Sequence, residues 1–287
     1  MIKIISDSTC DLSQELISRY GVDIIPLHIV KGEEELEDGP GIDISALYEW
    51  ADANKTTPKT SAPSIETAMG VMKQYLDEDY ELICFSISSE MSTSGNVIRM
   101  AAEELDAEDR VTVIDSRNLS TGIGLLVVEA AIMASSGSTR DEIVNRMNEL
   151  IPLVRASFVV DTLVYLHRGG RCSAASALIG GALALHPMIV VQNGKMDASK
   201  KYRGKIEKVI MNYTHDLEKE MRNAYTDRVF ITHSQCDARV VDEVRSYIES
   251  LGLFSEILET RAGGVISSHC GPGTLGILFI SKFFSII

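Results

Sequence analysis

The chain has 287 residues, of which 45% are hydrophobic and 24% charged, and its formal net charge is −14. These values are typical of a globular protein with one or two domains and exclude a largely disordered chain. The acidity also argues against a nucleic-acid-binding protein, because neutralising phosphates requires a basic surface.

Cysteine usage and hydropathy indicate the compartment. The five cysteines lie far apart with no C-x-x-C pair, which is typical of reduced thiols rather than of a disulfide framework or a zinc site. No leader-like segment opens the sequence, and the longest apolar stretches, 122–134 and 177–191, are too short or interrupted for a membrane span. We therefore expect a soluble, cytoplasmic protein without a transmembrane segment.

Strands and helices alternate in the first half of the chain, which predicts an α/β arrangement with a mostly parallel sheet. The predicted strands are 2–5, 22–30, 82–87 and 111–115. The predicted helices end at Tyr20 and cover 44–53, 65–76, about 97–105, 122–134 and 139–150. Ser64 is expected to cap the helix 65–76, and Pro26 suggests an edge or a bulge within the strand 22–30.

An acidic cluster follows the second predicted strand and consists of Glu33, Glu34, Glu35, Glu37 and Asp38. Such a cluster could hold a metal ion. Blocks of like charge are more often solvated, however, so the pattern favours an exposed hairpin tip.

The pattern changes beyond Pro152, which we take as the boundary between domains 1–152 and 153–287. The second half is predicted to contain strands at 157–160, 229–234, near Ile257 and at 275–280, and helices at 162–167, 174–185, 205–223 and 238–251. Residues 187–196 are expected to form a hairpin that turns at Asn193-Gly194. A second α/β domain with a mixed or antiparallel sheet follows from this order.

A hydroxyl-rich loop at 86–95 lies between an apolar strand and a helix, the position at which α/β proteins usually bind ligands. Its serines could instead serve only as caps and turns. Two other segments, Thr60-Ser61 and 267–273, could converge with this loop on one anion. The Gly-Pro-Gly turn would fix the direction of His269, although a histidine with a purely structural role is the default.

Two further readings of the sequence stay open. A serine of this loop could act as the nucleophile of a hydrolase or acyltransferase, but there is no G-x-S-x-G motif and no feature that singles out one serine. The pair Arg168 and Arg171 around Gly169-Gly170 could dock a phosphate or an acidic partner, or could simply end a helix.

Taken together, these segments resemble the DegV family of fatty-acid-binding proteins. The resemblance rests on the order of six short motifs along nearly the whole chain: 6–9, 59–64, 88–92, 113–116, 161–173 and 269–273. It implies two α/β domains with an apolar tunnel between them that holds one long-chain fatty acid and needs no cofactor. The acid's carboxylate would be held by Thr60 with Ser61, by Ser92 and by His269.

The resemblance also implies that the protein is a carrier rather than an enzyme. In the family, a separate ATP-dependent fatty acid kinase phosphorylates the bound acid to an acyl phosphate for phospholipid synthesis. If this chain has such a partner, we expect the docking pair Arg168 and Arg171 to contact it. Three positions depart from the family pattern: Thr93-Ser94 replaces Gly-Thr, Val164 replaces an acidic residue and Cys172 replaces an aliphatic one. The chain length of the acid and the oligomeric state cannot be read from the sequence.

Overall fold

The computed structural model describes residues 1–172 and 185–283. Its first half alternates strands and helices, as predicted. In chain order the elements are β1 (Ile2–Asp7), a 3-10 turn (Ser8–Cys10), α1 (Gln14–Tyr20), β2 (Asp23–Ile25), β3 (His28–Lys31), β4 (Glu34–Glu37), α2 (Ile44–Asn54), β5 (Lys59–Ser61), α3 (Ile65–Leu76), β6 (Glu81–Ser86), α4 (Ser94–Glu104), β7 (Val111–Asp115), α5 (Thr121–Ser135) and α6 (Arg140–Leu150).

The second half begins with a 3-10 turn (Ile151–Leu153) and is built around a larger sheet. Its elements are β8 (Val154–Val159), α7 (Val164–Gly169), β9 (Leu185–Gln192), β10 (Lys195–Arg203), α8 (Ile206–Met221), β11 (Arg228–Ser234), α9 (Ala238–Ser250), β12 (Glu256–Arg261), α10 (Gly264–Cys270) and β13 (Thr274–Ile280).

Two main sheets organise the molecule. Strands β2-β1-β6-β7 form a four-stranded sheet in which all pairs are parallel. Strands β10-β9-β8-β13-β11-β12 form a six-stranded sheet that is antiparallel except for the pair β11 and β12. The parallel sheet followed by a mixed sheet confirms the predicted α/β fold class.

Helix α5 lies between the two sheets. It contacts β1 of the parallel sheet and β8 and β13 of the mixed sheet, and ten of its fifteen residues are buried. Its burial on all sides explains why its sequence is apolar all round. The outer faces are covered by α3 and α4 on the parallel sheet and by α8 and α9 on the mixed sheet.

The predicted strand 22–30 is wrong as a single element. It divides at Pro26 into β2, which joins the parallel sheet, and β3, which joins a separate three-stranded sheet of order β4-β3-β5. Proline has no backbone N–H to donate to a ladder, so the chain changes sheet there. The same small sheet includes β5, which lies between the predicted helices 44–53 and 65–76, where no strand was predicted.

The acidic cluster also divides. Glu33 in the turn between β3 and β4 and Glu34 and Glu35 at the start of β4 are exposed, as the hairpin interpretation expects. The prediction that the whole cluster is exposed is wrong for Asp38, which is only 2% exposed and accepts hydrogen bonds inside the protein. Among the described residues no group of acidic, histidine and cysteine side chains could hold a metal ion.

Several predicted elements of the second half are confirmed with shifted ends. The hairpin turns at Asn193-Gly194, both at positive φ, whereas the helix predicted at 162–167 is Val164–Gly169. The predicted helix 174–185 lies outside the described residues except for Leu185, which begins β9. Helix α10 was not predicted. Within the described part of the chain, no helix has the length and apolarity needed to cross a membrane.

Candidate functional site

A cavity of about 480 Å³ lies among elements of both halves of the chain. Its volume falls within the range of small-molecule sites, roughly 300 to 1,000 Å³. Much of its wall is apolar and includes Leu27, Ile87, Met91, Leu119, Phe158, Leu166, Met196, Val265, Ile266 and Leu278. Such a wall suits an elongated apolar ligand.

Two of the proposed ligand-binding residues meet in this cavity. Thr60 lies on β5, His269 lies on the last turn of α10, and Thr60 Oγ1 is 2.8 Å from His269 Nε2. Ser61, which follows Thr60, also lines the cavity. The small sheet β4-β3-β5 and the unpredicted helix α10 therefore bring together side chains that are 209 positions apart in sequence.

His269 is neutral near pH 7. Burial, and after it the positive charge of Arg171, lowers the pKa of its imidazole from 6.5 to about 4. Its Nδ1 is buried, has no hydrogen-bond partner among the described residues, and faces Gly169 so closely that a methyl group there would collide with it. We assign the proton to Nε2, because an unpaired buried N–H is costly. Nε2 then donates to Thr60, and the Thr60 hydroxyl can donate onward.

The hydroxyl-rich loop supplies Ser89 and Ser92 to the cavity wall, but the hydroxyls of Ser88, Ser89 and Ser94 donate to protein acceptors. Ser88 donates to Gly194 O at 2.7 Å, Ser89 donates to Asp115 Oδ2 at 2.6 Å, and Ser94 donates to Asp7 Oδ2 at 2.8 Å. Ser92 Oγ accepts from Ser94 N at 3.2 Å and lines the cavity, so its hydrogen can be donated to a ligand. The local sequence does not show which of these serine hydroxyls remains available to a ligand.

Other hydroxyls of the wall are already hydrogen-bonded to protein groups. Thr232 bonds to Thr121 and Thr260, and Ser234 bonds to Tyr48 and Ser267 at 2.6 and 2.9 Å. Ser157, Thr274 and Ser120 have protein partners as well. Among these hydroxyls of the wall, those of Thr60 and Ser92 are therefore the better placed to donate to a ligand.

Of the two arginines, Arg168 lies at the end of a helix and Arg171 lies at the cavity wall. Gly170, at φ 68°, caps α7, and Arg168 lies in its last turn, as one of the two readings expects. Arg171 is exposed, donates to Gly169 O at 2.7 Å and lines the cavity. A cation thus lies where the cavity approaches the surface.

The three departures from the family pattern have different settings. Thr93 precedes α4, and Ser94 is its first residue, fully buried with its hydroxyl on Asp7. Val164 is exposed and begins α7, and Cys172 is buried. The Thr93-Ser94 departure therefore leaves Ser92 on the cavity wall.

Sequence reasoning missed the supporting aspartates Asp7, Asp11 and Asp38. All three are buried, and burial raises their pKa values, for Asp11 to about 8. Asp7 and Asp11 flank a short polar turn directly after the first strand, which is a signal that could have drawn attention to them.

Comparison with known proteins places the chain in a family. The family model for DegV, a family of uncharacterised proteins, matches residues 1–282. The chain belongs to the DegV family. A DegV domain-containing protein of Clostridium perfringens is 30% identical, with 98% of this chain and 99% of that protein covered. A fatty acid-binding protein of Thermotoga maritima is also 30% identical, with 96% of each covered.

Solved structures of DegV proteins share the fold. A fatty-acid-binding DegV protein from Thermus thermophilus superposes with a TM-score of 0.89 at 29% identity, covering 98% of this chain and 99% of that one. A stearic acid-binding protein from Eubacterium ventriosum superposes with a TM-score of 0.84 at 27% identity, with the same coverage. This DegV-family chain therefore has the architecture of proteins described as binding fatty acids.

Proposed function

We propose that this protein binds one long-chain fatty acid, with the alkyl chain in the apolar part of the cavity and the carboxylate at Thr60, Ser61, Ser92 and His269. The observation that carries the proposal is the Thr60–His269 pair within a largely apolar cavity. The T. maritima relative and the T. thermophilus and E. ventriosum structures are described as fatty-acid-binding, which supports a fatty acid as the class of ligand.

The chemistry of these groups suits a carboxylate that must later leave. With His269 donating from Nε2 to Thr60, the hydroxyls of Thr60, Ser61 and Ser92 can each donate a hydrogen bond to the carboxylate oxygens. Neutral donors bind an anion less tightly than a buried cation would. Burial of the alkyl chain supplies most of the affinity, at roughly 0.8 kcal/mol per CH₂ group.

We further propose that the protein is a carrier that presents the acid to an ATP-dependent fatty acid kinase. A carboxylate oxygen would attack the γ-phosphorus of ATP, the bond to ADP would break, and an acyl phosphate would form on the carrier. The exposure of Arg171 at the cavity wall supports this reading, because a partner protein could reach the ligand there. Arg168, in the same turn, is the second expected contact.

The alternative of a serine hydrolase finds less support in the geometry. A catalytic triad requires a histidine bonded to the nucleophile and oriented by an acid. His269 Nε2 is bonded to Thr60, and its Nδ1 has no carboxylate partner within the described ranges. Ser92 is hydrogen-bonded instead to a backbone N–H.

Mass spectrometry tests the binding proposal directly. Protein purified from cells and then denatured should release about one fatty acid per chain. Protein that releases none, and that binds no added stearic acid, would contradict the proposal. Labelling of Ser92 by a fluorophosphonate probe would favour the hydrolase instead.

A trapping reaction tests the kinase step. Loaded carrier, ATP and a fatty acid kinase subunit should give an acyl phosphate that hydroxylamine converts to a hydroxamate. Arg171→Ala should lower the yield, whereas Arg239→Ala, which changes an exposed arginine on α9, should not. Absence of hydroxamate with a kinase active on another DegV carrier would contradict the carrier role.

A further inference from the structure

Three buried aspartates lie behind the cavity wall. Asp7, Asp11 and Asp38 are at most 5% exposed, and none of them lines the cavity. No lysine or arginine in the described part of the chain forms an ion pair with them, and neighbouring carboxylates raise the pKa of Asp11 further after burial itself. Burying carboxylates without a cation is costly, so a specific use is expected of them.

Two of these aspartates hold the start of the helix that carries His269. Asp11 Oδ1 accepts from Gly263 N, and Asp38 Oδ1 accepts from Gly264 N, both at 2.8 Å. The second oxygen of each carboxylate is fixed by a serine, with Ser120 donating to Asp11 at 2.5 Å and Ser8 donating to Asp38 at 2.8 Å. Two hydrogen bonds thus tie the start of α10 to the N-terminal half of the chain, and two more fix the aspartates within that half.

Close packing makes this attachment stiff. A Cβ atom on Gly264 would lie 3.0 Å from Asp38 Oδ1 and would collide with Ile29, so the carboxylate and the small sheet lie directly against the helix backbone. Helix α10 has seven residues, and His269 is the sixth. A shift of its first turn would therefore move the imidazole relative to Thr60 on β5.

The third aspartate holds the loop that carries Ser92. Asp7 Oδ2 accepts from Ile87 N at 2.9 Å and from the Ser94 hydroxyl at 2.8 Å. These two donors lie on either side of Ser92, at the start and the end of the loop. Asp7 Oδ1 accepts from Thr9, which fixes the carboxylate in turn.

We propose that Asp11 and Asp38 are positioning residues for His269 and that Asp7 is the positioning residue for Ser92. The hydrogen bonds of Asp7, Asp11 and Asp38 lie behind the cavity wall and thereby set the distances between the groups that bind the carboxylate. This inference rests on the proposed fatty-acid binding, which it extends to residues that do not touch the ligand.

Double-mutant cycles test the assignment. The measurement is equilibrium binding of stearic acid to delipidated full-length protein. Asp38→Ala should weaken binding on the order of tenfold, because the lost acceptor leaves Gly264 N unpaired and frees the helix. Asp38→Asn keeps an acceptor for Gly264 and can donate to Ser8, so it should bind within about twofold of the wild type.

The pattern of coupling separates positioning from general destabilisation. Asp38→Ala should be non-additive with His269→Ala and additive with Ser92→Ala, whereas Asp7→Asn should be non-additive with Ser92→Ala and additive with His269→Ala. Additive effects in all four cycles, or unchanged binding by Asp38→Ala, would overturn the proposal. If Asp38→Ala does not fold, Ser8→Ala should be non-additive with His269→Ala in the same way, with a smaller coupling energy.

A spectroscopic readout separates this inference from the proposed function. Without any ligand, Asp38→Ala should shift the His269 imidazole ¹⁵N resonances, and Asp38→Asn should restore them. Asp237→Ala is the matched control, because Asp237 caps α9 outside the cavity, and it should leave these resonances unchanged. Failure of the wild type to bind stearic acid would refute the proposed function, whereas unshifted resonances in Asp38→Ala would refute the positioning role.

Discussion

At the scale of single residues, His269 is both fixed in orientation and kept neutral. Its imidazole is hydrogen-bonded at Nε2 to Thr60 and closed off at Nδ1 against Gly169. Burial then keeps it neutral. The histidine therefore acts as a fixed hydrogen-bond donor rather than as a charge, which makes the Thr60 hydroxyl a directed donor toward the cavity.

Loss of the Thr60 hydroxyl should weaken ligand binding. Thr60→Val keeps the shape of the side chain but leaves His269 Nε2 without its partner. We expect the dissociation constant for stearic acid to rise about tenfold, roughly 1.4 kcal/mol. Thr56→Val is the control, because Thr56 is exposed on the same segment, and equal effects of the two substitutions would contradict the assigned role.

The neutral state of His269 predicts a pH dependence of stability. The pKa of the folded state, about 4, lies below the ordinary value of 6.5, so between these values the unfolded chain binds a proton that the folded protein does not. The stabilisation is complete above pH 6.5 and is lost as the pH falls toward 4, by ~3 kcal/mol in total.

Comparison with His269→Gln isolates this contribution. The raised pKa of Asp11, about 8, has the opposite sign, because its contribution is lost as the pH rises from 3.8 toward 8. The difference in unfolding free energy between wild type and His269→Gln, measured by urea denaturation, should therefore grow from pH 4 to pH 6.5. A constant difference across this range would show that His269 is not held neutral by the fold.

At the scale of elements, the turn of the hairpin of β9 and β10 contacts the loop that carries Ser92 and stabilises it. The Ser88 hydroxyl donates to Gly194 O, Arg117 donates to Asn193 O at 2.9 Å, and Lys195 pairs with Glu90 at 3.2 Å. The turn needs positive φ at Asn193 and Gly194, which the Asn-Gly sequence supplies. The Asn193-Gly194 turn, which the local sequence predicts, thus helps to position a loop that is distant in sequence.

Alanine at position 194 should disturb both elements. Gly194 has φ 82°, and a Cβ there would lie 2.6 Å from Ser88 Oγ. We expect Gly194→Ala to lower the unfolding free energy by about 2 to 4 kcal/mol in urea denaturation. Gly137→Ala, at φ 86° with open space around it, should cost only about 1 to 2 kcal/mol, and Ser88→Ala should partly rescue Gly194→Ala. Equal losses for the two glycines would contradict the contact.

At the scale of the whole molecule, the cavity wall draws on the mixed sheet, on the small sheet and on loops that follow strands of the parallel sheet. Ile87 and Leu119 come from the first half of the chain, and Phe158, Met196 and Leu278 come from the second. A ligand in this cavity bridges the two halves, so its binding should stabilise the fold as a unit.

Removal of the ligand should lower the melting temperature. A fatty acid present at one hundred times its dissociation constant contributes about 2.7 kcal/mol, which corresponds to a shift of roughly 5 to 10 °C for a chain of this size. Differential scanning calorimetry of the delipidated protein, before and after adding stearic acid, measures the shift. An unchanged melting temperature in protein that demonstrably rebinds the acid would show that the acid does not bind the folded chain in preference to the unfolded one.

The sequence by itself determined what depends on local signals. The alternation of apolar strands and helices gave the α/β class, Ser64 gave the cap of α3, and Asn193-Gly194 gave the hairpin. The order of short motifs pointed to the family and to Thr60, Ser92 and His269. Their role in binding stays a prediction, although the fold places all three on one cavity.

Only the tertiary structure decided what depends on contacts between distant segments. Pro26 divides one apolar run between two sheets, and Asp38 is buried although its acidic neighbours are exposed. The short helix α10 contains Gly264 and two serines, which are poor helix formers in isolation. Helix α10 is held by Asp11 and Asp38, more than 220 positions away. Long-range hydrogen bonds leave no periodic trace in the sequence, which is why the support of the site was invisible until the chain was folded.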